Sequence, residues 1–292
     1  MTEFRVPDLP ALRVFDPKAT RWAVIRGLVR TAVVVLGFLL VAFVALGLVV
    51  NVLTHALGRP AQLDRMVTGF RVAHPGLVIH EQGATYGGWH QTATLSGTDA
   101  DQQSQARLSL SIFGSLDVTG PANDPVNDLL GGQAWSKAST TAFLRRLPAG
   151  VKIDGVVVFA RPTTSAELEA KNFQQGEDAL IYGPAFASVS GRSDPLRQAL
   201  LDPVSWPVSG SLRFSTFEDW ARHLAGSDDA NLRLLGLPPS RELKRLADKG
   251  EISAAYVTGR TPAQVAALLK DPDVASFSPG AVRFSLDNPY LP

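Results

Sequence analysis

The sequence of 292 residues contains no cysteine. This absence excludes disulfide bonds, cysteine-ligated zinc and a thiol nucleophile. A region of the protein outside the cytoplasm must therefore depend on its own hydrophobic core. The absence suits a bacterial envelope protein better than a small secreted animal domain, because such domains are often rich in disulfides.

Charged side chains are absent from one long stretch, residues 31–58. Within it, residues 31–53 contain 16 Val, Leu or Phe residues, and only Thr31 and Asn51 are polar. A helix of this length spans ~34 Å, which exceeds the ~30 Å of a bilayer's hydrocarbon core. The apolar part of a cleaved signal peptide has only about 7–15 residues. We therefore predict an uncleaved transmembrane helix over residues 31–53.

The charges on either side of this stretch predict its orientation. Residues 1–30 carry six basic and three acidic side chains, whereas only Arg59 and Arg65 follow closely on the other side. The positive-inside rule places the N-terminal tail in the cytoplasm and the C-terminal region outside the cell membrane. The whole chain has 28 basic and 27 acidic residues, so 22 basic and 24 acidic residues remain when the tail is left out. This balance argues against direct nucleic-acid binding.

Sequence motifs for catalysis or phosphate binding are also missing. The chain has no G-x-S-x-G or S-x-x-K nucleophile motif and no glycine-rich phosphate loop. The five histidines are His55, His74, His80, His90 and His223. Among them, His74, His80 and His90 lie close enough in sequence to Glu81 to share a metal. Their spacings match no metal-ligand motif, so exposed or turn histidines are the favoured interpretation. We expect no enzyme activity, no metal and no cofactor.

The region after the predicted membrane helix has a different residue pattern. Residues 60–70 predict a short helix that ends at Gly69, with Pro60 in its first turn. Residues 76–118 favour strands, because residues 108–112 alternate with period two and glycines separate the segments. Tyr86 and Trp89 either line a binding surface or plug a sheet end. The Gly- and Pro-containing stretch 120–132 predicts a loop and a boundary.

The second half of the chain contains an internal repeat. Residues 144–162 recur at an offset of 99 without a gap, and six of the 19 positions are identical. Each copy predicts a helix (139–147; 240–248), a strand (153–159; 252–258), a second helix and a closing strand (178–182; 281–286). Both second helices carry a capping-box signal, at Thr164 with Glu167 and at Thr261 with Gln264.

These patterns predict an α/β fold, with α+β as the alternative. Strand-helix-strand connections favour a parallel or mixed sheet. The proline-rich linker 183–211 predicts mostly irregular structure with one short helix near residues 195–201. Thr216 begins a capped amphipathic helix that reaches Leu224. The predicted divisions are a tail (1–30), the membrane helix (31–53), a juxtamembrane helix with a β-rich part (59–120), a first module (139–183), a linker with a helix (184–238) and a second module (239–288).

Arg161 and Arg260 occupy equivalent positions in the repeat. Each follows a predicted strand and precedes a helix start, which is where α/β sheets tend to bind ligands. Two arginines there would hold a carboxylate, a phosphate or a partner. Local salt bridges or simple exposure are the alternative.

The arrangement of a short basic tail, one membrane helix and an outer α/β region resembles the sigma factor regulator family of Gram-positive bacteria, the membrane-anchored anti-sigma factors. The resemblance covers residues 18–60 and 140–286. The segments that carry it are Lys18-Ala19, Arg21, Arg26, Arg30-Thr31, 143–148, 156–158, 165–168, 256–262 and 268–274.

The resemblance implies a function at the membrane. In that family the cytoplasmic segment sequesters an extracytoplasmic-function sigma factor, and the outer domain responds to envelope stress or to a partner membrane protein. The tail here lacks a histidine-cysteine zinc motif, so its grip on a sigma factor would involve no metal. An envelope binding or scaffold protein, anchored by one helix, is the alternative.

The tail itself is compatible with binding a partner. Prolines at positions 7, 10 and 17 prevent one continuous helix. With about 30 residues, the tail is too short to fold alone, so it would order on binding. Apolar side chains that are candidates for docking into a groove of the partner are Phe4, Leu9, Leu12 and Phe15.

Overall fold

A computed structural model describes residues 17–75, 78–99, 102–120, 129, 135–148, 150–170, 179–183, 204–207 and 214–284. The docking candidates Phe4, Leu9, Leu12 and Phe15 lie outside the described residues. The chain divides into two compact units, Met1–Val52 and Leu53–Pro292.

The N-terminal helix is longer than predicted. Helix α1 runs over Pro17–Ala56, and the part Val24–Ala56 is long and apolar enough to cross a membrane, by length and composition. Proline is well tolerated in a first helical turn, and its place at the start of α1 fits this rule. Leu36, Phe38 and Phe43 are at least 70% exposed. Exposing such an apolar surface to water is unfavourable.

The second helix, α2 (Arg59–Ala73), continues four residues beyond Gly69, where the prediction ended it. Inside the helix, side chains of other elements approach this glycine closely. A Cβ atom there would be 3.2 Å from Leu235 and 3.4 Å from Trp220. Gly69 is thus a packing position and not a helix stop.

The region after α2 forms a four-stranded antiparallel sheet in sequential order. Its strands are β1 (Val78–Thr85), β2 (His90–Asp99), β3 (Gln102–Ser111) and β4 (Leu116–Thr119). Leu95, Leu108 and Leu110 are fully buried in one core with Leu63 and Phe70 of α2. The predicted β-strand content of this region is confirmed.

The repeat folds into a second, five-stranded sheet with helices packed against it. The elements in chain order are α3 (Lys137–Leu144), β5 (Val151–Thr163), α4 (Ser165–Ala170), β6 (Ala179–Tyr182), β7 (Val204–Pro207), α5 (Phe217–His223), α6 (Asp229–Leu234), α7 (Ser240–Lys249), β8 (Ile252–Arg260), α8 (Pro262–Leu268) and β9 (Val274–Phe284). The mixed α and β fold class is confirmed, since helices and two sheets make up the described part of the chain.

The predicted parallel or mixed pairing is wrong. The sheet has the order β7-β6-β8-β5-β9, and each pair is antiparallel. The strand-helix-strand connection of each module skips one position, and the central strand of the other module fills the gap. This interleaving of two units is the split β-α-β topology. Local patterns predict the elements of each module but not which strand enters the gap.

The two modules occupy equivalent places in this sheet. The central strands β5 and β8 pair with Val156 opposite Tyr256 and Val157 opposite Ala255. Strand β9 flanks β5 as β6 flanks β8. These positions agree with the offset of 99, and the predicted duplication stays a prediction.

Both predicted capping boxes are present. The backbone N–H of Glu167 donates to the Thr164 hydroxyl, and the Thr164 N–H donates to the Glu167 carboxylate. The same reciprocal pair joins Thr261 and Gln264 at the start of α8. Each helix therefore begins where the sequence indicated.

The predicted irregular linker contains the edge strand β7. Trp206 of β7 is buried and packs against Phe217 and Trp220, with ring centroids 5.8 and 6.0 Å apart. The strand ends at Pro207, and proline is tolerated at sheet edges because it cannot donate to a neighbour. The predicted short helix near residues 195–201 lies outside the described residues.

The five-stranded sheet is apolar on both faces. Ile153, Val157 and Phe159 join the main core, which also contains side chains of α2 and the four-stranded sheet. Alternate residues form a second cluster on the opposite face, and Leu129 packs against it. The members of this second cluster are Val156, Val158, Ala179, Ile181, Ala254 and Tyr256.

Candidate functional site

The structure separates the two arginines that the repeat singled out. Arg161 lies near the end of β5, and Arg260 is the last residue of β8. Because these strands are antiparallel, Arg260 pairs with Ile153 near the start of β5, and Thr163 pairs with Ile252. At ~3.3 Å per residue, the two arginines stand more than about 20 Å apart along the strands. They cannot hold one ligand together.

The environments of these arginines also differ. Arg161 is 70% exposed at its side chain and forms an ion pair with Asp273, with Nε and Oδ1 3.2 Å apart. Arg260 is buried at 8% exposure and has interactions of its own. Both observations agree with local roles rather than with a shared anion site.

A basic groove is formed by α3, α8 and the residues that follow α8. Its volume is about 550 Å³. Its cationic side chains are Lys137 and Arg145 from one side and Lys270 from the other. Alanines and Thr141 form much of its lining, and no carboxylate is among the described residues there. The full lining is Lys137, Ala138, Thr141, Ala142, Arg145, Ala266, Leu269 and Lys270.

The sequence explains the shape of the basic groove. Ala138 and Ala142 are four residues apart on α3 and share one helix face, and Ala266 faces them from α8. Small side chains leave space between the helices, and the long cations stand at the rim. Lys137 Nζ also donates to the Asp271 carbonyl at 3.3 Å, which fixes one side of the rim. Such a groove can bind a carboxylate- or phosphate-bearing partner by charge.

The carboxylate of Glu167 is committed to its helix cap. Hydrogen bonds lower its pKa below the usual value, first from the Thr163 hydroxyl at 2.6 Å and then from the Thr164 backbone N–H. Glu167 is ionised at neutral pH and is not poised to transfer a proton.

Buried acidic side chains elsewhere hold the fold together, and sequence reasoning missed them. The fully buried Asp228 accepts hydrogen bonds from Gln62 at 3.0 Å, Arg65 at 2.9 Å and the Ala225 backbone at 2.9 Å. These bonds tie α2 to residues more than 160 positions later in the chain. No local sequence signal indicates such a contact.

The histidines do not assemble into a metal site within the described part of the chain, where no group of three potential ligands is found. His74 caps α2 and lies 4.5 Å from the Phe70 ring, and burial lowers its pKa. His223 Nδ1 lies 2.8 Å from the Asp219 carbonyl oxygen on the same helix.

Trp89 and Tyr86 do not plug the end of the sheet. Trp89 is 52% exposed. Tyr86 is 37% exposed, and its hydroxyl donates to Asp64 of α2 at 3.1 Å.

The geometry thus offers a membrane-competent helix, a basic groove and exposed aromatic turns. No family model, curated protein or solved structure matches the chain.

Proposed function

We propose that this protein is a membrane-anchored, non-enzymatic regulator with a cytoplasmic N-terminus. Its tail sequesters an extracytoplasmic-function sigma factor, and its outer region responds to the envelope or to a membrane partner. The observation that carries the proposal is α1, one unbroken helix of 40 residues that joins the tail to the compact unit Leu53–Pro292.

The length and charges of α1 support this arrangement. At ~1.5 Å per residue the helix is ~60 Å long, about twice the hydrocarbon thickness. Its first turns therefore project beyond the membrane. These turns carry Lys18, Arg21 and Arg26, which favour the anionic inner leaflet. The apolar tail residues that precede them are the candidates to hold a cytoplasmic partner.

The test of tail binding uses the full-length chain, solubilised from its own membrane, and co-purification with candidate sigma factors. A variant with Phe4, Leu9, Leu12 and Phe15 changed to Ser should lose the sigma factor while remaining in the membrane. A matched variant with Thr2 and Thr20 changed to Ser should retain it. Failure of the unmodified chain to retain any sigma factor, with transcription unchanged after gene deletion, would overturn the proposal.

The basic groove favours a second function, that of an envelope binding or scaffold protein. Lys137, Arg145 and Lys270 surround the groove without a carboxylate among its described lining residues, so an anionic wall polymer or an acidic protein segment fits it. This alternative predicts that replacing residues 1–20 with an unrelated basic sequence preserves function. It also predicts that changing these three cations to Glu abolishes function, whereas changing exposed Arg241 to Glu does not.

A further inference from the structure

Two turns of the four-stranded sheet lie side by side and expose large aromatic side chains. The turn between β1 and β2 carries Trp89, and the turn between β3 and β4 carries Phe113. The Ile112 backbone N–H donates to the Trp89 carbonyl at 2.9 Å, which joins the turns. Phe113 is 82% exposed and Trp89 is 52% exposed. Both rings therefore project from one end of the sheet.

Hydrogen bonds fix these turns against the end of α1 and the start of α2. The Thr54 hydroxyl donates to the Gly88 carbonyl at 3.2 Å, and Arg59 Nε donates to the Ile112 carbonyl at 2.8 Å. Thr54 lies in the last turns of the apolar span Val24–Ala56. The aromatic turns are therefore held at the point where this span ends.

Glycine allows the close approach of Arg59 to the second of these turns. Gly88 and Gly114 have φ angles of +75° and +90°, which favour glycine over other residues. A Cβ atom on Gly114 would lie 2.5 Å from the Arg59 guanidinium. The turn between β3 and β4 therefore leaves room for the Arg59 side chain that bonds to it.

Exposed leucines flank Thr54 along the chain. Leu53 and Leu57 are 45% and 50% exposed at the same helix end. A soluble surface gains nothing from exposing a phenylalanine, a tryptophan and two leucines together. The lipid–water interface is where Trp is enriched, because its ring is apolar and its N–H can still reach water or head groups.

We propose that Trp89 and Phe113 insert into the interface of the outer leaflet and seat the outer region on the bilayer that α1 spans. The partner is the lipid surface itself, because one turn is bonded to Thr54 near the end of the span and the other to Arg59, three residues after it. This inference rests on the membrane-spanning part of the proposed function and not on sigma-factor binding. The seat fixes the height of the four-stranded sheet above the membrane.

The lack of cysteine permits a direct test in the full-length protein. The single variants Phe113→Cys and Trp89→Cys are labelled with an environment-sensitive fluorophore and placed in nanodiscs of phosphatidylcholine and phosphatidylglycerol. Leu46→Cys, within the span, is the lipid reference. Phe284→Cys, on a residue that is 73% exposed on β9, is the matched control. Quenching by doxyl lipids reports lipid contact, and quenching by iodide reports water contact.

We expect the labels at Phe113 and Trp89 to emit at shorter wavelength and to be quenched by doxyl lipids, as at Leu46. The label at Phe284 should be quenched by iodide alone. If Leu46 is in lipid and both turns are in water, the span stands and the inference is overturned. Labels in the turns that are shielded from both quenchers would identify a protein partner or a second copy, which also overturns it. A label at Leu46 that is in water would overturn the membrane span together with the inference.

Discussion

The first and second modules of the five-stranded sheet share their order of elements but differ in chemistry at equivalent positions. At the offset of 99, Gly155 corresponds to Ala254, Asp154 to Ser253 and Arg161 to Arg260. The first module thus has a glycine and a buried carboxylate where the second has an alanine and a hydroxyl. A duplicated backbone topology therefore does not imply that equivalent positions have the same chemistry. The strand that flanks each central strand packs against different side chains.

The largest difference is expected at Gly155. A Cβ atom there would lie 2.5 Å from both the Phe277 ring and the Ser278 carbonyl oxygen. Since the carbonyl belongs to the paired backbone of β9, Gly155→Ala should lower the free energy of unfolding by about 3 kcal/mol. The matched Ala254→Gly should cost only about 1 kcal/mol. Urea unfolding of the full chain in detergent, followed by tryptophan fluorescence, measures both. Equal costs would show that the two positions are packed alike.

The next largest difference in stability is expected between variants of Asp154 and Ser253, the residues that precede these two positions. Asp154 accepts a hydrogen bond from the Gly259 N–H at 2.7 Å and pairs with Arg283 at 2.7 Å. Asp154→Ala should cost about 2 to 3 kcal/mol, because it leaves a buried N–H without its acceptor.

The equivalent Ser253 donates to the Gly183 carbonyl at 2.7 Å. Ser253→Ala should cost about 1 kcal/mol, since one neutral hydrogen bond is lost. The same urea titration compares the pair, and a larger cost at Ser253 than at Asp154 would contradict the predicted order.

Much of this sheet was predictable from local patterns. The predicted helix 240–248 and strand 252–258 agree with α7 and β8 to within two residues. The sheet order was not predictable, because an alternating apolar strand does not specify its neighbour. The roles of Asp154 and Asp228 were missed for the same reason, since their partners lie more than 100 residues away.

A smaller difference in stability is expected between alanine variants of the two arginines. Arg260 is buried, and its aliphatic stem packs inside the fold, so Arg260→Ala should cost about 1 to 2 kcal/mol. Arg161→Ala breaks only an exposed ion pair with Asp273 and should cost less than about 0.5 kcal/mol. Thermal unfolding of both variants at low and high salt tests this, because salt screens the Arg161 pair. A large cost at Arg161 would restore it as a structural or binding residue.

The smallest difference is a pH dependence confined to the first module. Its capping box uses Glu167, whereas the second uses Gln264, which does not titrate. Hydrogen bonds from Thr163 and Thr164 hold the folded pKa of Glu167 below the unfolded value of 4.5. The stabilisation is therefore complete above that value and is lost as the pH falls through the lower folded pKa.

Glu167→Gln should remove this dependence, and Gln264→Glu should create a matching one in the second module. Thermal unfolding between about pH 6 and about pH 3 measures both, with the unmodified chain as reference. Acid should then narrow the gap in melting temperature between the unmodified chain and Glu167→Gln. A gap that is constant with pH would mean that ionisation of Glu167 does not stabilise the cap.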